Sequence, residues 1–188
     1  MVETRTHPIG TITTCTDQPG REIVANANDV RQAIIGLLQA SIFITSGVLI
    51  LMWIYRANLN AHRLGAAGMV FSPGWAVGWY FIPFANLWKP YQAMREIWQA
   101  SASPQRWESE HRPWFLPLWW TLWIVTSLFD NAAFRMSLRN DPGIDQLITA
   151  SGVTIVSDVL GIPLAVVFFV LVHRIHRMQI EQSNLQVF

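Results

Sequence analysis

The sequence predicts an all-α membrane protein, with four transmembrane helices in a bundle, the second kinked by proline, preceded by a short disordered N-terminal tail. Three observations predict it. Charged residues make up 13% of 188 and apolar residues 52%, against ~25% charged in an ordinary soluble domain. The charges are also unevenly spaced. Twenty-four residues separate Arg31 from Arg56 with no Asp, Glu, Lys or Arg, 25 separate Arg63 from Lys89, 17 separate Arg112 from Asp130, and Gln146 to His173 carries only Asp158 in 28. Finally, aromatic, proline and small residues sit where such tracts begin, end or bend. About 20 mostly apolar residues cross a hydrocarbon core of ~30 Å, and backbone groups in lipid must bond internally, which favours helices. The competing reading is a soluble all-α protein with deeply buried helices. It requires amphipathic helices with a charged face, and the run 42–54 has none.

Residues 1–28 are rich in Thr, Asn, Asp and Gly and read as a disordered cytoplasmic tail. No apolar stretch precedes Ile34, so no cleavable signal peptide is expected, and the first span serves as the targeting signal. Span one covers about 30–55, with Asn28 or Asp29 as its cap. Gly36, Ala40 and Gly47 allow close helix approach, and Trp53 and Tyr55 suit the interface. The helix continues toward Gly65. Span two covers about 72–91. Ser72-Pro73 reads as a helix start, Gly74 and Gly78 form a GxxxG pair, and Pro83 removes a ladder bond and kinks the helix, an effect Pro90 repeats. A re-entrant loop is the alternative for 64–88.

Tyr91, Met94 and Trp98 share a helical face, which reads as an amphipathic extension near the headgroups. Residues 101–113 form a polar loop. Span three covers about 114–134, and Asn140-Asp141-Pro142-Gly143 is a turn. Span four covers about 147–172, with Ser157, Gly161 and Ala165 on one face. Residues 29–180 thus form the transmembrane domain, and 181–188 a C-terminal tail.

With four crossings, the tail, the 89–112 loop and the C-terminus share one side and carry nine Lys/Arg, against four (Arg56, Arg63, Arg135, Arg139) on the other. Positive residues favour the cytoplasm, so both termini are expected there. A re-entrant second segment changes the count to five on the N-terminal side against eight, and reverses the N-terminus.

Asp158 is the ionisable residue deepest in a span. At ~2.5–3.5 kcal/mol for a central Asp, it is expected to face the bundle and pair. Arg56, Asp130 and Arg135 are its candidate neighbours. The functional reading is a polar site for an ion, proton or small ligand; the structural reading is an ion pair fixing helix register. His173 and His176 stand three apart on a helix, but Arg174 and Arg177 flank them, so a solvated face meeting lipid headgroups is favoured over a metal site. All five histidines lie outside or at the ends of spans, which disfavours haem. No G-x-S-x-G, H-E-x-x-H or Gly-rich phosphate loop is present. No catalytic residue, cofactor or metal is expected, and no enzyme activity. A formal charge of +1 with no basic cluster disfavours nucleic acid. One cysteine, Cys15, excludes an internal disulfide.

The run Trp53-Ile54-Tyr55-Arg56-Ala57-Asn58-Leu59-Asn60, then Leu64-Gly65, and above all Ser72-Pro73-Gly74-Trp75-Ala76-Val77-Gly78-Trp79-Tyr80-Phe81-Ile82-Pro83-Phe84-Ala85-Asn86-Leu87-Trp88-Lys89-Pro90 and on to Trp98, resembles the bacterial membrane family called domain of unknown function 4328. The resemblance covers about residues 30–178. It implies a multi-pass protein of a bacterial plasma membrane and carries no activity or catalytic residues. Asn60, Ser72, Pro73, Gly74, Trp75, Gly78, Trp79, Pro83, Asn86 and Pro90 are its motif residues. The expected role is packing or assembly with the bilayer and a second copy or another membrane protein. The alternative is a small transporter or channel-like subunit using Asp158.

Overall fold

The computed structural model describes residues 19–138 and 143–185, with side chains from residue 30 onward except Leu147. The described residues form five α-helices: α1 Pro19–Arg63, α2 Pro73–Gly78, α3 Lys89–Ala102, α4 Phe115–Ser137 and α5 Ile144–Leu185. Single 3₁₀ turns occupy Trp79–Phe81, Ala85–Leu87 and Trp107–Ser109. No strand occurs among the described residues. The chain divides into two units, one ending at Val48 and one beginning at Leu49.

In the first unit, α1 is already helical at Pro19, the first described residue, eleven residues before the expected start at about 30. Residues 19–28 are therefore helix rather than tail, Asn28 and Asp29 lie inside the helix rather than capping it, and the tail expectation for 1–18 falls outside the described residues. Every side chain from Val30 to Ile50 is exposed.

The second unit holds the core. Ile54 and Ala57 of α1, Phe71 and Ala76, Met94 and Ile97 of α3, Phe115, Leu116 and Trp119 of α4, and Leu171 and Ile175 of α5 pack together. α4 and α5 are antiparallel. Trp119 stacks on Phe168 with ring centroids 6.0 Å apart, and eleven residues further along α4, eleven back along α5, the Ser157 hydroxyl donates to Asp130. The end of α1 runs parallel to α5: Trp53 meets the Phe168 ring edge-on, and Asn60 meets Gln179.

That parallel pairing corrects the four-crossing topology. Four crossings make the first and last helices antiparallel, and put Asn60 and Gln179 on opposite faces of a ~30 Å core. In the structure these residues share a hydrogen bond of 3.2 Å. The second expected span is also corrected, because 72–91 is not a kinked helix. Within it α-helix is confined to Pro73–Gly78, about 9 Å of rise, and to the first residues of α3 from Lys89 onward. Pro83 ends the ladder, and Phe84 turns the chain with φ at 65°, a conformation costly for a bulky side chain. Pro90, buried in the first turn of α3, starts a helix instead of bending one. Nor is α3 a surface helix: Ala93, Met94, Glu96, Ile97, Trp98, Gln99, Ala100 and Ser101 are all buried. α5 continues beyond 180, so 181–185 are helical and the expected C-terminal tail is reduced to residues outside the description. Of the predicted 140–143 turn, only Gly143 is described.

Two helices, Val30–Arg63 and Ile144–Leu185, are long and apolar enough to cross a membrane, and their most apolar 18-residue windows are 0% and 11% buried. A core helix of a soluble protein would bury such a window. Leu128 and Phe134 of α4, and Ile155, Val159, Ile162, Val166 and Phe169 of α5, are likewise exposed.

Candidate functional site

The polar residues that the fold gathers are not those around Asp158. Asp158 is exposed and bonded to no described residue, and Arg56 and Arg135 are exposed and equally unpartnered. Of the four expected members, only Asp130 has a partner, the Ser157 hydroxyl. Two registers explain this. Ser157, one residue before Asp158, faces α4, so Asp158 falls about 100° around α5. Arg135 lies five residues beyond Asp130, more than a helical turn further along α4.

The assembled polar cluster lies where the ends of α1 and α5 meet α3. Gln179 is buried and bridges all three. Its Nε2 donates to the Ala57 carbonyl at 2.8 Å and to Ser101 Oγ at 2.9 Å, and its Oε1 accepts from Asn60 Nδ2 at 3.2 Å. Gln182 Nε2 donates to the Ala102 carbonyl at the end of α3, where an orphan helix acceptor needs a partner. Gln99 Nε2 donates to the Glu110 carbonyl at 2.7 Å, which pins the 103–113 loop back onto α3.

Glu96 organises the loop between α1 and α2. It is 3% exposed, and its carboxylate accepts from the Val70 and Phe71 backbone N–H groups. Burial pushes its carboxyl above the ordinary carboxylate range; the two backbone bonds and the nearby His62 and Arg95 pull the other way. His62 Nε2 donates to the Phe71 carbonyl at 3.3 Å. The loop leaves α1 through a Schellman cap. Gly65, at φ 91°, bonds to the His62 carbonyl and Ala66 to the Ala61 carbonyl, and Ala61 and Ala66 pack together with Ala100. A side chain at Gly65 would hold that backbone at a strained φ.

Asn58 is fully buried, and neither its Nδ2 nor its Oδ1 has a hydrogen-bond partner. On α1 it lies one turn from both Ile54 and His62.

The motif segment forms a short excursion. Ser72 precedes α2 and Pro73 opens it, although the Ser72 hydroxyl makes no capping bond. The Trp75 and Trp79 rings sit 4.9 Å apart. A Cβ on Gly78 would lie 3.2 Å from the Trp75 ring, whereas one on Gly74 would meet nothing within 4 Å. Of the GxxxG pair, Gly78 therefore makes room for an indole of its own helix. Lys89 Nζ lies 5.6 Å from the Phe71 ring and 5.5 Å from that of Trp79, geometry suited to cation–π attraction. Phe81, Phe84 and Leu87 are exposed at the tip. The Leu87 carbonyl accepts from Trp120 Nε1 at 3.1 Å, which ties the tip to α4. The Asn86 Oδ1 is buried without a partner.

The model of the family described as "Domain of unknown function (DUF4328)" matches residues 17–177. The chain belongs to the DUF4328 family. No curated protein and no solved structure matches it. The DUF4328 match takes in all of the motif residues and all of the polar cluster except the last turns of α5, where Gln179 and Gln182 lie.

Sequence reasoning missed Glu96, Gln99, Ser101 and Gln179 as core residues, and the half-buried Gln182 as a tie to α3. Glu96 and Gln99 lie off the face shared by Tyr91, Met94 and Trp98, and so read from sequence as the wetter side of an amphipathic helix. The available signal was their surroundings: a charged or amide residue every few positions between Ala and Ile, on a helix short enough to be covered all round.

Proposed function

We propose that this chain is a non-enzymatic integral membrane protein that crosses a bacterial plasma membrane three times, through α1, α4 and α5. Residues 72–88 re-enter from the same face, and the gathered ends of α1, α3 and α5 form a cytoplasmic head for assembly with a membrane partner. The observation that carries the topology is the Asn60–Gln179 hydrogen bond, which requires the last turns of α1 and α5 to share one face. α4 supplies the return, since its 23 residues rise about 35 Å. The charge balance agrees. Arg56, Arg63, Lys89, Arg95, Arg106, Arg112, Arg174 and Arg177 fall on the head side, and five Lys/Arg on the other, which orients the head to the cytoplasm.

The segment 72–88 suits re-entry. Its apolar tip meets lipid, while the Leu87 carbonyl that a broken helix exposes is satisfied by Trp120; irregular backbone at membrane depth needs such a partner. An assembly role is supported by the chemistry of the head. Glu96, Gln99, Gln179 and Gln182 are engaged in holding backbone and neighbouring helices, so they serve shape.

Thiol labelling from either face of sealed vesicles tests the topology. Ala67→Cys and Ser103→Cys, each in a Cys15→Ser background, label from the cytoplasmic face, and the native Cys15 labels from the opposite face. Labelling of positions 67 and 103 from opposite faces overturns the three-crossing arrangement. Copurification in mild detergent tests the assembly role, and a monomer without any partner counts against it.

A further inference from the structure

The last turns of α1 and α5 enclose a cleft of about 370 Å³, lined by Asn60, Arg63, His176, Gln179, Ser183 and Asn184 among others. Among the described residues no carboxylate lines it. Arg63 and His176 are exposed and make no ion pair or hydrogen bond with any described residue. Gln179, at the floor, is held rigid by its three bonds, which fixes the separation of the two helices and hence the width of the cleft. The end of a helix ordinarily repels anions because its last carbonyls are unpaired. Here the Asn60, Ala61 and His62 carbonyls accept from Leu64, Ala66 and Gly65, so the negative end of α1 is blunted. Beside the apolar side chains of Leu64 and Ile180, the groups that line the cleft are a guanidinium, an imidazole, a hydroxyl and carboxamides.

We propose that this cleft binds a phosphate group, monoester or diester, with Arg63 as the bidentate anchor and His176 and Ser183 as supporting donors. A guanidinium presents paired N–H groups that match two phosphate oxygens. Arg63 lies seven residues, about 10 Å of helix rise, beyond Arg56, at the water-facing end of the head. A headgroup reaching up from the bilayer and a soluble phosphate ester both bring the same chemistry. The inference does not depend on the number of crossings.

The test is titration of the full-length protein in detergent micelles with inorganic phosphate, and separately native mass spectrometry after exchange into phosphatidylglycerol. Arg63→Gln is compared with Arg177→Gln, which removes the same charge from α5 outside the cleft. Arg63→Gln is expected to weaken phosphate binding, lipid retention, or both by about ten-fold or more, the scale of a charge-assisted bond, with Arg177→Gln changing either by less than about three-fold. Loss confined to inorganic phosphate identifies a soluble ester; loss confined to phosphatidylglycerol identifies a headgroup. The Arg63 side chain makes no bond with any described residue, so both variants keep the helical circular dichroism of the parent. Absence of binding by the unaltered protein in both assays, or equal losses in the two variants, overturns the proposal.

Discussion

Gln179→Leu is the substitution that most directly probes how the head is held. Leucine approximates the volume and length of glutamine but removes both donors and the acceptor. Two bonds are buried. The one to the Ala57 carbonyl contributes about 0.5–1.5 kcal/mol; that oxygen lies inside α1, so its helical bond remains. The bond to Ser101 Oγ contributes a similar amount, reduced because the hydroxyl can turn to its own helix's carbonyls. The third bond, to the exposed Asn60, contributes little, since water replaces it. The total is about 1–3 kcal/mol. Burying leucine in place of the amide offsets part of this, leaving a net loss of about 1–2 kcal/mol, a five- to thirty-fold change in the folding equilibrium. Reversible unfolding by sodium dodecyl sulfate in mixed micelles, followed by tryptophan fluorescence, reads it directly, because Trp98 and Trp119 lie in the adjoining core. A double-mutant cycle with Ser101→Ala is expected to show coupling of ~0.5–1 kcal/mol. An unchanged or raised unfolding midpoint for Gln179→Leu, with no coupling to Ser101, would refute the claim that this amide clamps α1, α3 and α5 together.

Three further outcomes are expected. Asn58→Leu should leave stability unchanged or raise it by about 1 kcal/mol, because it removes two buried groups without partners; a clear loss in the same assay would show that the amide has a polar partner in the working protein. Glu96 has a folded pKa above its unfolded value, near 4.3, so its contribution is complete below that value and declines as pH rises through the folded pKa. Unfolding midpoints should fall across that window in the parent, and Glu96→Gln should flatten the slope while costing about 1–3 kcal/mol at low pH for the backbone N–H its amide leaves unpaired; equal slopes in both proteins would contradict the assignment. Gly78→Leu should displace the Trp75 ring, since even a Cβ lies 3.2 Å from it, and shift tryptophan emission, while Gly74→Ala, with open space around it, should not.

Much of the fold was legible in one dimension. The charge-poor tracts at 32–55, 113–129 and 146–173, the last holding only Asp158, became the apolar parts of α1, α4 and α5, because apolar composition is local to each residue and shows as spacing. The Ser72-Pro73 helix start and the disruptive Pro83 were legible for the same reason: each acts on its own backbone. The tract 64–88 misled because lack of charge reports burial or lipid contact, not helix length, and a loop anchored by Trp120 satisfies it as well as a span does. Asp158 misled because its partner depended on one residue of helical register, which gave the contact with α4 to Ser157 instead.

Sequence alone determined which stretches avoid water, since that follows from composition within each stretch. Which ends meet was decided by tertiary structure. Asn60 and Gln179 are 119 positions apart, and only the packing of α1 alongside α5 brings them within hydrogen-bond reach. A glutamine among polar neighbours looks like surface until other helices close around it, because hydrogen-bond partners are chosen by distance in space, and spacing along a chain records that distance only within one helix.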